Sequence, residues 1–210
     1  EFESLFAHQS NMKLNTYNNL LELFFDQYEK QDKNNIFLTN LGNPQHKLTW
    51  EKTFLLVNHL SNNISKDIKL GDRCILISEN RPEWLISDLA IMLAGGISVP
   101  SYTTYTTKDY EYIINDCEPS VVIVSNKEQF KKIKDILDYK KIKKIISFDR
   151  LENLNFENYL CIEDFINENN NFDNFNSEIS LKRTDPACII YTSGTQGNPK
   201  GVILSHGGIL

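Results

Sequence analysis

The residues of this chain best suited to chemistry lie in "YTSGTQGNPKG", from Tyr191 to Gly201. Its three glycines allow the backbone to approach a ligand closely and to adopt positive φ, so that N–H groups can line a concave anion site. Thr192, Ser193 and Thr195 add hydroxyl donors, and Lys200 adds a mobile ammonium group. Such a set of donors suits the phosphates of a nucleotide and the charge that develops on a leaving pyrophosphate.

Two familiar phosphate-binding patterns do not fit this segment. In the Walker A loop the lysine directly follows a glycine and precedes Ser or Thr, whereas Lys200 follows Pro199 and precedes Gly201, with strand-like "VILSH" next. The dinucleotide fingerprint GxGxxG fails as well, because its first glycine is missing. A plain connection between two strands remains the alternative to a ligand loop.

The elements that must position this loop alternate between strands and helices from Gly71 onward. Short apolar runs predict strands at "CILIS", "ISVP", "VVIVS", "KIISF" and "DPACIIYTSG". Helical patterns lie between the first four of them, in "RPEWLISDLAIMLAGG", "TTKDYEYIINDC" and "NKEQFKKIKDILDY". This alternation predicts an α/β fold with a doubly wound, mostly parallel sheet flanked by helices. Ligands of such sheets bind beyond the carboxyl ends of the strands, where the glycine loop begins.

The part of the chain before Gly71 combines helical and extended patterns. The stretch from Thr16 to Lys30 predicts an amphipathic helix with Thr16 as a possible N-cap. An extended "IFLTN" and a polar turn at "LGNPQHK" follow, and then comes a second helix capped by Thr49.

The Asn-rich segment after the fourth strand has few hydrophobic residues and predicts a surface excursion with one short helix around Ile162 to Asn167. We therefore divide the chain into a helical and extended lead-in (about 1–70), an alternating β/α part (71–150), the excursion (151–183) and a strand, loop and strand (184–210). Because the chain begins without Met and stops where a helix is starting, we expect it to be part of a longer protein.

The composition is that of a soluble globular protein, with 40% hydrophobic residues and a formal net charge of −6 over 210 residues. Nucleic-acid binding is not expected, because it depends on clustered positive charge. The lysines between Lys131 and Lys144 alternate with apolar residues and predict a solvated helix face, with a membrane-surface patch as the alternative. No apolar run reaches the roughly 18 residues of a membrane span. We expect a cytoplasmic location, with peripheral membrane contact left open.

Four cysteines are widely spaced and form no CxxC or CxxH pair: Cys74, Cys117, Cys161 and Cys188. This predicts reduced thiols in or beside the core in place of disulfides or metal ligands.

Several other residues have both a structural and a functional interpretation. We expect His46 and His59 to be structural or on the surface, since neither has a catalytic partner nearby in the sequence. His206 more naturally caps or supports the next helix than acts in catalysis. Trp84 fits core packing at a helix start better than ligand contact. The Tyr-rich "YTTYTTKDYEY" fits helix packing better than the lining of an acyl passage.

The segment "YTSGTQGNPKGVILSH" resembles the signature of the adenylate-forming superfamily, [ST]-S-G-[ST]-[TSE]-G-x-P-K-G-V. Upstream, "ENRPEW" and "VPSYTT" are similar to the corresponding segments of long-chain fatty acid–CoA ligases. The resemblance runs from about Tyr17 to Leu210 and is weakest in the Asn-rich excursion. It implies that this chain is an incomplete N-terminal AMP-binding domain.

The resemblance further implies a two-step reaction in which a fatty acid attacks Mg-ATP to give an acyl-adenylate and pyrophosphate, and coenzyme A then displaces AMP. ATP, Mg²⁺ and coenzyme A are the implied cofactors and substrates. Thr192 would also approach the magnesium, and Gln196 stands where Thr or Ser is usual but still offers donors. The residues that would bind the phosphates are Thr192, Ser193, Gly194, Thr195, Gln196, Gly197 and Lys200.

In that family the adenine and ribose motifs, the magnesium-sharing glutamate and the catalytic lysine follow this stretch. No catalytic residue is therefore assigned within this chain, and we expect it to be inactive by itself. Two alternatives stay open. One is another carboxylate-activating enzyme, for aryl or amino acids, and the other is a truncated, non-catalytic nucleotide-binding module.

Overall fold

The computed structural model describes residues 16–40, 42–166, 180–192 and 199–210. Its helices are α1 (Leu20–Lys30), α2 (Trp50–Ser65), α3 (Pro82–Leu93), α4 (Thr107–Cys117), α5 (Lys127–Ile133), α6 (Glu163–Ile166) and α7 (His206–Ile209). Its strands are β1 (Ile36–Asn40), β2 (Asn43–Thr49), β3 (Arg73–Ile77), β4 (Ile97–Ser101), β5 (Val121–Val124), β6 (Lys144–Ser147), β7 (Tyr159–Cys161), β8 (Pro186–Thr192) and β9 (Lys200–Ser205).

The central sheet has seven strands in the order β7-β6-β5-β3-β4-β8-β9. All neighbouring strands from β7 to β8 run parallel, and β8 pairs with β9 antiparallel. The predicted α/β fold with a mostly parallel sheet is thus confirmed.

Helices cover both faces of the sheet, as the alternation of its strand residues requires. Cys74 and Leu76 pack into one core with α1, α2 and α3, whereas Ile75 and Ile77 pack into a second core with α4 and α5. All four side chains are fully buried. A strand that is apolar on both faces is what a parallel sheet between two helical layers demands.

The ends of α3 and α4 carry residues suited to helix termini. Pro82 occupies the first turn of α3, and Gly95, just beyond its end, adopts a φ of +83° that favours glycine. Thr106 and Asp109 form a reciprocal capping box at the start of α4.

The start of α1 was predicted incorrectly. The helix begins at Leu20 and is capped by Asn19, whose side chain accepts a hydrogen bond from the Glu22 N–H at 2.8 Å. Thr16 lies outside it, because an asparagine closer to the first apolar residue satisfies the free N–H groups. Helix α5 likewise ends at Ile133, well before the predicted end at Tyr139.

The polar turn predicted at "LGNPQHK" is also wrong. Asn43–Thr49 forms β2, which pairs antiparallel with β1 in a separate two-stranded sheet. Its polar side chains are mostly exposed, so the strand has no apolar pattern to reveal it. Thr49 then caps α2, as predicted, by accepting a hydrogen bond from the Lys52 N–H.

The excursion contains the expected short helix, α6, but also a strand that was not predicted. Strand β7 pairs with β6 at the edge of the sheet. Cys161, at the end of β7, and Phe165, in α6, are both buried.

The helix face predicted for Lys131 to Lys144 is wrong at its end. Lys144 belongs to β6 and is 6% exposed, and its Nζ lies 2.8 Å from the Asp67 carboxylate.

All four cysteines are free and buried, as predicted. Within the described residues, no group of three or more His, Cys, Asp or Glu side chains is arranged to hold a metal ion. Over the same part of the chain, none of the helices combines the length and apolar character that crossing a membrane requires.

Candidate functional site

The two ends of the predicted phosphate loop, residues 192–200, face each other across the hairpin formed by β8 and β9. Thr192 is the last residue of β8, Lys200 is the first of β9, and the two are partners in the strand register. We call the paired segments Ile190–Thr192 and Lys200–Val202 the loop stem. Ser193, Gly194, Thr195, Gln196 and Gly197, which the sequence also assigns to the site, lie outside the described residues.

The stem presents Thr192 and Lys200 on the same face. Directly opposed residues of an antiparallel pair project to one side, with Cβ atoms about 5 Å apart. Both side chains are exposed. A hydroxyl and an ammonium group thus emerge together from the strand ends, where they can reach one oxyanion or phosphate.

A groove of about 580 Å³ opens on this same face. Ile190 lines it and, being two residues before Thr192, projects to the same side of β8. The other walls come from the end of β4, at Pro100, and from residues that follow β3 and β4, including Ser78, Glu79 and Tyr102. The groove therefore lies beyond the carboxyl ends of two parallel strands, where ligands of such sheets bind.

Trp84 packs at a helix start, as predicted, and also lines the groove. It is half-buried against the core that α1 to α3 share, and it also forms one wall of the groove. With Pro100 and Ile190 it gives the groove an apolar side suited to a hydrophobic ligand.

The groove wall includes one carboxylate, that of Glu79. Burial by itself would raise the pKa of Glu79, but hydrogen bonds hold it below its ordinary value. One of them comes from the Gln129 side chain, whose Nε2 donates at 2.8 Å. The carboxylate is therefore negative at neutral pH and favours groups that donate hydrogen bonds.

The opposite face of the stem is anchored to α4. Tyr191 is 3% exposed, and its hydroxyl donates to the Asp116 carboxylate at 2.5 Å. The Tyr105 hydroxyl donates to the Tyr191 carbonyl at 3.2 Å. Gly201, the partner of Tyr191, leaves room for the tyrosine ring, since a Cβ there would lie 3.1 Å from it.

Part of the Tyr-rich segment packs as predicted, whereas its first residue, Tyr102, is 64% exposed and lines the groove. Tyr110 is fully buried and donates from its hydroxyl to the Tyr102 carbonyl at 2.7 Å. The Tyr105 ring makes edge contacts with those of Tyr102 and Tyr110, at centroid distances of 5.4 and 5.9 Å. The hydrogen bonds that join Tyr105 and Asp116 to Tyr191 were not predicted, because Tyr191 is so far from both in the chain that no local signal indicates them.

A second cleft, of about 600 Å³, lies between β2, the start of α3 and the end of β6. In it the Arg81 guanidinium bridges the buried Glu83, at 3.2 Å, and Asp149, at 2.8 Å. His46 lies at this cleft, where its Nδ1 is 3.7 Å from a Glu83 carboxylate oxygen, a contact that fits the structural or surface role expected for it. Hairpin pairing brings His46 there, and its position in the sequence does not show it.

His206 has the structural role that was predicted. It begins α7, is 1% exposed, and its Nδ1 accepts a hydrogen bond from the Leu20 N–H at 3.4 Å. Burial lowers the pKa of His206, which keeps the ring neutral and able to accept that bond. His59 also packs internally, with its ring centroid 4.6 Å from that of Phe165.

The family described as AMP-binding enzyme matches residues 24–210, which is most of the chain. The chain belongs to the AMP-binding enzyme family. The resemblance of its loop to the adenylate-forming superfamily is therefore confirmed.

Two similar proteins are named as enzymes that join fatty acids to coenzyme A. The long-chain-fatty-acid–CoA ligase ACSBG2 of Mus musculus is 30% identical over 206 residues, covering 90% of this AMP-binding chain and 29% of that protein. The fatty acyl-CoA synthetase A of Dictyostelium discoideum is 34% identical over 146 residues, covering 65% of this chain and 21% of its own length. The chain thus spans less than a third of these relatives.

Solved structures share the fold. The anthranilate CoA ligase AuaEII, in complex with anthranoyl-AMP, has a TM-score of 0.75 at 24% identity and covers 93% of this chain and 36% of its own. The luciferase-like enzyme of the mealworm Zophobas morio has a TM-score of 0.74 at 20% identity, over 90% of this AMP-binding chain and 43% of its own.

Proposed function

We propose that this chain supplies the phosphate-binding part of an ATP-dependent fatty acid–CoA ligase. The observation that carries the proposal is the placement of Thr192 and Lys200 on one face of the loop stem, beside a groove with an apolar side. The names of the curated relatives favour a fatty acid as the substrate and coenzyme A as the acceptor.

In the proposed reaction, Lys200 and the loop hold the β- and γ-phosphates of ATP while the fatty acid carboxylate attacks the α-phosphorus. The bond to the bridging oxygen breaks, and pyrophosphate leaves as acyl-AMP forms. The ammonium group of Lys200 favours this step because negative charge on the leaving group increases along it. The thiol of coenzyme A then attacks the acyl carbon, and AMP departs.

Thr192 fits the magnesium that accompanies ATP in this proposal. Its hydroxyl is a hard oxygen ligand at the exposed end of a strand, and Mg²⁺ is held by few protein ligands together with phosphate oxygens and water. The ion would neutralise charge on the phosphates. The contribution of this chain is to orient the Thr192 oxygen and the Lys200 ammonium group.

The groove next to the stem is the proposed entry for the apolar part of the acid. Trp84, Pro100 and Ile190 form the apolar surface that would contact the acyl chain. The ionised Glu79 would keep the carboxylate of the acid away from its own wall of the groove. The remaining catalytic groups would come from outside this segment of a longer protein, since the chain covers 29% of its mouse relative.

ATP–pyrophosphate exchange in the longer protein that contains this chain tests the proposal. We expect exchange to depend on a long-chain fatty acid. Exchange with aromatic or amino acids and none with fatty acids would assign the chain to another carboxylate-activating enzyme. Nucleotide binding without exchange for any acid would identify a non-catalytic module.

A further inference from the structure

Strand β8 extends beyond its pairing with its parallel neighbour. Among the described residues, Ser98 and Cys188 are the register pair that joins β4 to β8. The last residues of β8 pair with β9 alone, through Thr192. The loop stem therefore has ladder hydrogen bonds to β9 only, and side-chain contacts add to its support.

Two side-chain hydrogen bonds from around α4 supply this support. Tyr105, just before the N-cap of α4, donates to the main-chain carbonyl of Tyr191 at 3.2 Å. Asp116, the penultimate residue of α4, accepts from the Tyr191 hydroxyl at 2.5 Å. The two ends of one helix therefore hold the backbone and the side chain of the same residue. We call Tyr105, Asp116 and Tyr191 the brace.

The helix that carries the brace is itself firmly held. Its first turn is closed by the Thr106 and Asp109 capping box. The Tyr110 ring is fully buried, and its hydroxyl donates to the Tyr102 carbonyl just after β4. A support of this kind moves little, so the position that it imposes on β8 is well defined.

We propose that Tyr105, Asp116 and Tyr191 are positioning residues that fix the loop stem, so that Thr192 and Lys200 stay together on the ligand face. Tyr105 holds the carbonyl of the peptide bond that leads into Thr192. Asp116 holds the ring that lies over Gly201, the residue that follows Lys200. The brace thus acts on both ends of the loop from the face opposite the groove. Its role in ATP use rests on the proposed function, but its role in ordering the stem does not.

Amide hydrogen exchange on this 210-residue chain tests the ordering role. Tyr191→Phe and Tyr105→Phe each remove one hydroxyl and keep the ring. We expect the amides of the loop stem to exchange roughly tenfold faster in each variant, with β3 and β5 unchanged. An unchanged stem, or equal acceleration in all strands, would overturn the proposal.

Tyr28→Phe is the matched control. The Tyr28 hydroxyl also donates to a carboxylate, that of Glu51 at 2.6 Å, and its ring is 8% exposed. It lies on α1, away from the stem. We expect its loss to leave stem exchange at the wild-type rate; faster stem exchange in this variant would count against a specific brace.

Kinetics of the longer protein test the effect on ATP. Asp116→Ala should raise KM for Mg-ATP in pyrophosphate exchange by roughly tenfold, because the bond to a charged acceptor is lost. Asp116→Asn keeps a side-chain oxygen that accepts the hydrogen bond, so its KM for Mg-ATP should be close to that of the wild type. Thioester formation from preformed acyl-AMP should change less than twofold. Equal losses in both half-reactions would indicate a structural role only. If the wild type shows no pyrophosphate exchange, the proposed function is overturned. Amide hydrogen exchange would then still test whether the brace orders the loop stem.

Discussion

Thr192 and Lys200 lie directly opposite each other in the ladder between β8 and β9, at the two ends of the predicted phosphate loop. The adjacent pair, Tyr191 and Gly201, projects to the other side of the hairpin. The hairpin thus separates two tasks. One face offers a hydroxyl and an ammonium group to a ligand, and the other rests on α4 through Asp116.

Replacing Lys200 with alanine should weaken adenylate formation in the longer protein more than thioester formation. A hydrogen bond to a charged group contributes about 1.5–3 kcal/mol, which corresponds to a loss of roughly 10- to 100-fold in pyrophosphate exchange. The matched control is Lys140→Ala, in an exposed turn before β6 at the opposite edge of the sheet. Equal losses in both half-reactions would contradict the assignment of Lys200 to the phosphates.

Replacing Gly201 with alanine should destabilise the chain by roughly 1–3 kcal/mol, the usual range for overpacking. The added Cβ would lie 3.0 Å from the Ile189 Cγ2 and 3.1 Å from the Tyr191 ring, both closer than normal contact. Urea unfolding measures the effect. Gly42→Ala is the control, because its Cβ would meet its nearest atom, the Asn40 Oδ1, at an ordinary 3.4 Å. Equal stability of the two variants would show that β9 shifts to make room.

The pH dependence of stability should reveal Asp88. Burial raises the pKa of Asp88 to about 6, although the Ser98 hydroxyl acts in the opposite direction. In the unfolded chain its pKa is about 3.9. The folded form therefore binds the proton more tightly, and the free energy of unfolding falls as pH rises from about 4 to 6.

Asp88→Asn removes this charge at constant shape. We expect the variant to be about 1–3 kcal/mol more stable than the wild type at pH 8 and equally stable at pH 4, from urea unfolding at both values. A variant that is less stable at pH 8 would mean that the ionised carboxylate has a favourable partner. Such a result would contradict the role of burial here.

Replacing Glu83 with alanine should cost about 3 kcal/mol, the lower part of the range for breaking a buried ion pair. Its carboxylate is nearly inaccessible and binds Arg81, which would keep Asp149 as its second partner. Thermal unfolding at neutral pH measures the loss. Lys131→Ala, which removes an exposed pair with Glu128, should change stability by less than about 1 kcal/mol. Similar losses in both variants would mean that the cleft is open to water.

The sequence identified those parts of the fold whose residues carry their own pattern. The strand β5, "VVIV", is apolar on both faces and could be recognised alone. Strands β2 and β7 could not, because they lie at sheet edges and their residues are polar or few. Their strand conformation comes from a neighbouring strand that supplies hydrogen bonds.

The candidate site shows the same division between local and long-range signals. Thr192 and Lys200 belong to a local motif in which glycines, hydroxyls and a lysine together indicate anion binding. Asp116 and Tyr105 support that motif across long distances in the chain, and nothing near them in the sequence indicates it. The Glu79 wall of the groove likewise depends on Gln129, and two helices and two strands lie between these residues in the chain.

The strand order has a consequence for folding kinetics. Strand β8 pairs with β4, although β5, β6 and β7 lie between these two strands in the chain and on the other side of β3 in the sheet. Closing so long an intervening segment is entropically unfavourable, so contacts of this kind form late. The hairpin that carries the predicted phosphate loop would therefore join the sheet late. Its Val202 and Ile203 remain 45% and 64% exposed in the folded chain, where β9 is an edge strand, so this edge stays open to self-association.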